Sequence, residues 1–83
     1  MLKPRQLPEE VCALLKERLY NEYDAHYTYR AISNWLQNKG FSKASAYFAK
    51  EAEDELKHAE TLQKYIVDWN DTPTLPTIQN IPT

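Results

Sequence analysis

The chain has 83 residues, with 10 basic and 12 acidic side chains and a formal net charge of −2. This length allows one small domain, and the near-neutral charge disfavours nucleic-acid binding, which usually needs a basic face. A single glycine, Gly40, disfavours turn-rich sandwiches and barrels. No apolar run approaches the roughly 18 residues of a membrane span. The only cysteine, Cys12, excludes an internal disulfide and fits a reducing compartment. We therefore expect a cytoplasmic, all-α protein.

The first predicted helix, helix A, covers about residues 8–38. Pro8 suits a helix start, and apolar side chains such as Leu15, Leu19 and Leu36 recur with helical spacing after it. Gly40 is expected at the C′ position, where a left-handed backbone commonly ends a helix.

The second predicted helix, helix B, covers about residues 42–70, with Ser42 as its N-cap. Residues 72–83 contain three prolines and are predicted to form an extended arm. The domain organisation is thus a hairpin over residues 1–71 followed by the arm. The apolar stripe of helix B is formed by Phe41, Ala44, Phe48, Ala52, Ala59, Leu62, Ile66 and Trp69.

A short turn between two long helices predicts an antiparallel hairpin. Two helices alone bury only one side of each apolar face, and a core of this size is marginal. The sequence therefore predicts that the hairpin dimerises into a four-helix bundle. The alternative is a fragment whose missing half completes the bundle.

Polar side chains interrupt the apolar stripes at three positions. Glu22 lies within the stripe of helix A, and Glu55 and His58 share one face of helix B because they are three residues apart. A buried carboxylate is costly unless it is paired or bound to a metal. Carboxylate and imidazole ligands suit iron, manganese or zinc. Helical bundles with two-metal carboxylate sites use a Glu-x-x-His motif of this kind.

These residues give the chain a resemblance to the ferritin-like superfamily. The spacing from Glu22 to Tyr29 and to the Glu55–His58 motif is similar to that of bacterioferritins, bacterial ferritins and rubrerythrins. The chain resembles the first, two-helix half of such subunits. Encapsulated ferritins are a precedent for two-helix chains that form the iron site between subunits.

The resemblance implies a role for each matching residue. Glu22 and His58 would be terminal metal ligands, and Glu55 a carboxylate bridging two metals. Tyr29 would hydrogen-bond a ligand or lie close enough to take part in redox chemistry. A homodimer would supply each ligand twice and form a di-iron centre, which oxidises Fe(II) with O₂. The implied protein is a half-size ferritin with ferroxidase and iron-storage functions. No haem is expected, because Leu56 stands where bacterioferritins carry a haem-ligating methionine.

Other functions remain open at this point. A rubrerythrin-like enzyme would reduce H₂O₂ instead of O₂, and a bundle without a working site would be a structural or interaction module. Glu51 is weighed as an additional carboxylate at the site, and His26 as a hydrogen-bonded interface histidine. Tyr20, Tyr23 and Tyr27 are read as a further subunit contact on another face of helix A.

Overall fold

The computed structural model describes residues 8–69, and within this range the chain is an antiparallel pair of helices. Helix α1 spans Glu9–Asn38 and helix α2 spans Ser42–Asp68, with no strand between residues 8 and 69. The predicted all-α hairpin is confirmed, and the predicted arm over residues 72–83 lies outside the described residues. Neither described helix has an apolar stretch long enough to cross a membrane.

The turn between the helices is closed by a Schellman motif centred on Gly40. The backbone of Gly40 has a φ of +89°. Its N–H donates to the carbonyl of Gln37 at 3.1 Å, and the N–H of Phe41 donates to the carbonyl of Leu36 at 2.9 Å. These two bonds satisfy carbonyls at the end of α1. The predicted C′ position of Gly40 is confirmed.

The contact between the helices follows a seven-residue spacing. The buried residues of α2 are Ser45, Ala52, Ala59 and Ile66, each seven residues after the last. A repeat of seven keeps one face turned towards the partner when the helices wind around each other with a left-handed twist. Three of the four side chains are small, so the helix axes can approach closely.

Polar bonds cross this narrow contact at two levels. Ser33 and Ser45 each donate a hydroxyl hydrogen bond of 2.8 Å to the other's backbone carbonyl. One step of seven further back along α1, His26 Nδ1 lies 2.7 Å from the carbonyl of Ala52. Because a carbonyl only accepts, the proton is on Nδ1. His26 is therefore the hydrogen-bonded interface residue that the sequence predicts.

The apolar core lies at the end of the hairpin away from the turn. Leu19, Ala59 and Ile66 are buried there, and Tyr23 packs against them. The Tyr23 hydroxyl also donates a 2.9 Å hydrogen bond to Gln63 Oε1. Tyr23 is thus a contact within the hairpin, whereas the sequence assigned it to a further subunit contact.

The structure differs from the sequence prediction at the start of α2. Ser42 is the first helical residue, and Phe41 holds the N-cap position without a side-chain cap. The predicted stripe also places Phe41 and Ala44 in the core, but both are exposed. The line of contact between the two helices, formed on α2 by Ser45, Ala52, Ala59 and Ile66, is called the seam below. Ser45 is buried in it, because the close helix contact needs a small residue at this level that bonds to Ser33.

Substituting Gly40 tests the turn. A Cβ at Gly40 would meet no atom within 4 Å, so the cost of Gly40→Ala comes from the left-handed backbone alone. We expect a loss of about 1 kcal/mol in the free energy of unfolding for Gly40→Ala. Gly40→Asn should lose less, because asparagine tolerates this conformation better. Urea unfolding at one fixed protein concentration measures both. Equal losses would contradict the backbone explanation.

Candidate metal centre

Two rows of side chains flank the seam on one side of the hairpin, and each row is apolar except at one glutamate. The α1 row places Glu22 seven residues from Leu15 and from Tyr29, and the α2 row places Glu55 seven residues from Phe48 and from Leu62. Residues seven apart lie on nearly the same face of a helix. The two glutamates occupy the same level of the hairpin because Leu19 packs near Ala59 and His26 bonds to Ala52.

Glu22, Glu55 and His58 form one cluster. Each offers a ligand atom, and these atoms all lie within 4.8 Å of one another. His58 Nδ1 is 3.4 Å from Glu22 Oε2 and 3.8 Å from Glu55 Oε1. Both distances exceed that of a good hydrogen bond. The three groups therefore surround a common point, and His58 forms no hydrogen bond of good geometry to either carboxylate.

The cluster is graded from a buried end to an open one. The Glu22 side chain is 8% exposed, that of Glu55 is 22% exposed and that of His58 is 62% exposed. Beside the cluster, an open groove of about 410 Å³ reaches Glu22 from the surface. A small ion can therefore approach the buried carboxylate from this side. The groove is lined by Arg18, Glu22, His58, Thr61, Leu62 and Tyr65.

The two carboxylate oxygens of Glu22 have different surroundings. Oε1 accepts a 2.8 Å hydrogen bond from Arg18 Nε, one turn earlier on α1. Oε2 is buried and has no hydrogen-bond partner among the described residues. Leaving a buried charged acceptor unpaired is costly. Oε2 is also the oxygen that faces His58, so the unsatisfied atom points into the cluster.

The two carboxyl groups perturb each other's titration. The pKa of Glu22 is lowered, mainly by the hydrogen-bonding approach of the Glu55 carboxyl and then by Arg18, while burial opposes this change. The pKa of Glu55 is raised, mainly by the same approach to Glu22 and then by burial. Despite the short distance between the two carboxyl groups, Oε2 of Glu22 has no hydrogen bond of ordinary geometry to any described residue.

The donor set fits a divalent cation. Two ligands at about 2.1 Å from one ion lie about 3.0 to 4.2 Å apart, depending on the angle between them. The separations of His58 Nδ1 from the two carboxylates, 3.4 and 3.8 Å, lie in this range. A cation would also satisfy the unpaired Oε2 of Glu22. Carboxylate and imidazole donors suit iron, manganese and zinc.

Tyr29 and Glu51 are the other candidate site residues, and neither belongs to the cluster of Glu22, Glu55 and His58. The Tyr29 ring packs against Phe48, with ring centroids 5.9 Å apart. Tyr29 lies two turns from Glu22, or roughly 10 Å along the helix axis. Glu51 is half-buried one turn before Glu55 and adds to the rise in the pKa of Glu55. A role for either residue at the site stays a prediction.

The structure adds two features to the predicted cluster, the contact from Arg18 and the groove. The Arg18–Glu22 pair and the cluster share one carboxylate. The signal for the pair was the spacing of four residues, which is common on helix surfaces. Thr61 and Tyr65 are the further groove residues, and their distance of three and seven residues from His58 is the signal that could have found them.

Comparison with known proteins identifies the family. Residues 12–82 match the family model of the ferritin-like domain, which is most of the chain. The chain belongs to the ferritin-like domain family. Bacterial non-heme ferritins of Escherichia coli O157:H7 and of Shigella flexneri are each 26% identical to this ferritin-like chain over 80 residues. The family match and the all-helical hairpin agree with the resemblance stated from the Glu22–Tyr29–Glu55–His58 spacing.

The chain spans about half the length of the curated relatives it matches. The aligned region covers 96% of this ferritin-like chain and 46% of each relative. The two described helices therefore correspond to part of those proteins.

Metal binding should stabilise the hairpin through Glu22. At Fe(II) about 100-fold above its dissociation constant, without oxygen, we expect a gain of about 2.7 kcal/mol in unfolding free energy. Glu22→Gln should abolish this gain, because it removes the buried anion with the unpaired oxygen. Glu17→Gln is the matched control, since Glu17 is an exposed carboxylate on the same helix. Thermal unfolding with and without Fe(II) measures the gain. An equal gain in Glu22→Gln would place the metal elsewhere.

Proposed function

We propose that this ferritin-like chain binds Fe(II) at Glu22, Glu55 and His58 and oxidises it with O₂. The observation that carries the proposal is the buried, unpaired Oε2 of Glu22, which faces two further ligand groups in a member of the ferritin-like family. The name of the curated relatives, bacterial non-heme ferritin, supports iron as the metal.

The ligand set supports a site formed between two copies of the chain. One hairpin supplies two carboxylates and one imidazole to the cluster. A twofold dimer would supply four carboxylates and two imidazoles, the donor set of two-metal sites in helical bundles. Two Fe(II) ions would neutralise the four carboxylates, which suits a site closed off from water.

Three of the eight large hydrophobic side chains that are exposed among the described residues support the same dimer. Val11, Phe41 and Tyr65 are 38%, 58% and 46% exposed. Val11 lies eleven residues before Glu22 and Tyr65 lies seven after His58, so each shares a helix face with a ligand residue. Phe41 lies at the N-cap of α2, fourteen residues before Glu55. Covering this face with a second hairpin would bury the apolar side chains and enclose the cluster. A downstream segment of a longer chain would cover the same face.

Two tyrosine substitutions separate this face from the opposite one. Tyr65 and Tyr20 are similarly exposed, at 46% and 42%, but Tyr20 lies two residues before Glu22 and therefore on the far side of α1. Tyr65→Ser should weaken dimerisation about tenfold or more and lower iron binding, because an aromatic contact is lost. Tyr20→Ser should leave the iron bound per chain unchanged. Sedimentation equilibrium and anaerobic Fe(II) titration measure both properties.

Equal effects of the two tyrosine substitutions would argue against a dimer closed over the cluster. A parent protein that is a monomer at all concentrations would do the same. In that case a longer chain, with its own third and fourth helices, would have to complete the bundle.

The proposed chemistry needs fixed ligands and an oxidant. Each of two Fe(II) ions, as substrates, would give up one electron, and O₂ would accept the pair together with two protons from water to give H₂O₂ and two Fe(III). The protein contributes by holding both ions at one place, so that a two-electron transfer to O₂ becomes possible. Glu22 and Glu55 stabilise the increased positive charge of the ferric product. The open groove beside His58 is the route by which Fe(II) and O₂ would reach the buried carboxylates.

Kinetics of iron oxidation test the proposal. Glu55→Gln should slow the initial rate of Fe(II) oxidation by O₂ at least about 100-fold, since it removes one ligand charge from each half-site. The rate of uncatalysed oxidation sets the baseline. Glu60→Gln is the matched control, because Glu60 is an exposed carboxylate five residues further along α2. A Glu55→Gln protein as fast as the parent would refute the assignment.

The same assay distinguishes the oxidant. If H₂O₂ oxidises the bound iron much faster than O₂ does, the protein is a peroxide reductase that uses the same ligands.

The expected binding ratio is about one Fe(II) per chain, which corresponds to two ions per pair of hairpins. A parent protein that binds no Fe(II) would leave a structural bundle as its function.

A further inference from the structure

The Arg18–Glu22 ion pair joins an exposed cation to a buried anion. The side chain of Arg18 is 70% exposed, whereas that of Glu22 is 8% exposed, and Arg18 Nε lies 2.8 Å from Glu22 Oε1. Arg18 lines the groove that leads to the cluster. The guanidinium thus lies on the approach to the metal ligands and occupies one of the oxygens that a metal would use.

We propose that Arg18 is a positioning residue that restricts Glu22 to one metal-facing oxygen and lowers the affinity of the site for divalent cations. The inference rests on the proposed metal-binding function and deepens it. Arg18 would keep Oε1 bonded to its own Nε–H and leave Oε2 as the only Glu22 atom available to the metal. A metal bound to Oε2 alone would then have one coordination position open. That position would be filled if Glu22 bound the metal through both of its oxygens.

Three features of the pair support this role. Arginine stays charged at all ordinary pH values, so it cannot release Glu22 by losing a proton. Its Nε–H is fixed in the guanidinium plane, so it orients the carboxylate as well as attracting it. The Oε2 of Glu22 remains unpaired while Oε1 is satisfied, so Arg18 leaves the carboxylate half-free in the direction of His58.

Arg18 also places a positive charge close to the site where a divalent cation would bind. Like charges within a few ångströms repel each other measurably even at a partly exposed position. Removing the charge and freeing Oε1 should therefore both strengthen metal binding. A residue that merely supports the fold would have the opposite effect, because its loss weakens any site that depends on the fold.

Cobalt(II) titration of the full chain without oxygen tests the inference. In Arg18→Gln we expect the Co(II) dissociation constant to fall about tenfold. The visible absorption of bound Co(II) should also weaken, because a second carboxylate oxygen raises the coordination number. Loss of Co(II) binding in Glu22→Gln establishes that the measured site is this one.

Two further variants separate charge, geometry and folding. Arg18→Lys keeps the charge but loses the planar Nε–H, so its Co(II) spectrum should change while its affinity changes less than in Arg18→Gln. Arg30→Gln makes the same charge change on α1, about 18 Å from Arg18 and about 12 Å from Glu22 along the helix axis. It should alter neither the affinity for Co(II) nor the Co(II) spectrum. If Arg18→Gln does not fold, as judged by circular dichroism, the spectrum of Arg18→Lys decides.

The outcomes distinguish this inference from the proposed function. A parent protein that binds Co(II), together with Arg18 variants of unchanged or weaker affinity and unchanged spectrum, would overturn the role of Arg18 and leave the metal site standing. A parent protein that binds neither Co(II) nor Fe(II) would overturn both. Tighter binding with a changed spectrum in Arg18→Gln, and neither change in Arg30→Gln, is the result expected.

Discussion

The Glu22 carboxylate is buried beside the contact between two closely packed helices, and its charge is the constraint that the groups around it must satisfy. A charge in such a place is tolerated only if other groups compensate it. Arg18 compensates one oxygen, and the Glu55 carboxyl responds with a raised pKa. The second oxygen has no hydrogen-bond partner among the described residues, although His58 Nδ1 lies 3.4 Å from it. The hairpin by itself therefore carries an electrostatic cost that a cation would remove.

The seam explains how two facing glutamates can be held at one level. Alanine and serine side chains let the helices approach, and bonds from Ser33 and His26 to α2 prevent sliding along the helix axes. Because these contacts repeat every seven residues, the rows beside the seam keep their register as well. The cluster thus inherits its geometry from residues that take no part in metal binding. Packing and site chemistry occupy neighbouring rows of the same two helices.

Much of this arrangement follows from sequence, because helical periodicity and ligand spacing are local properties. The two helices, the role of Gly40 and the convergence of Glu22, Glu55 and His58 could be predicted from residue spacing alone. The burial of Ser45 and the exposure of Phe41 could not, since they depend on which of two adjacent rows faces the partner helix. Sequence also gave no means to see that Arg18 and the cluster divide the two oxygens of Glu22, because that depends on rotamers.

The seven-residue spacing of the seam has a consequence for how such sequences can change over time. Replacing one side chain alters one contact, but inserting or deleting one residue within α2 turns everything beyond it by about 100°. A one-residue deletion between Glu55 and His58 would turn His58, Ala59 and Ile66 away from the faces that they now occupy. A deletion between Ala52 and Glu55 would turn Glu55 away as well. Insertions and deletions should therefore be confined to the turn and the chain ends, or come as matched multiples of seven in both helices, since seven residues in one helix alone would shift the two glutamates about 10 Å apart along the axis. The spacing of the contact residues along each helix is therefore as important to the site as their identity.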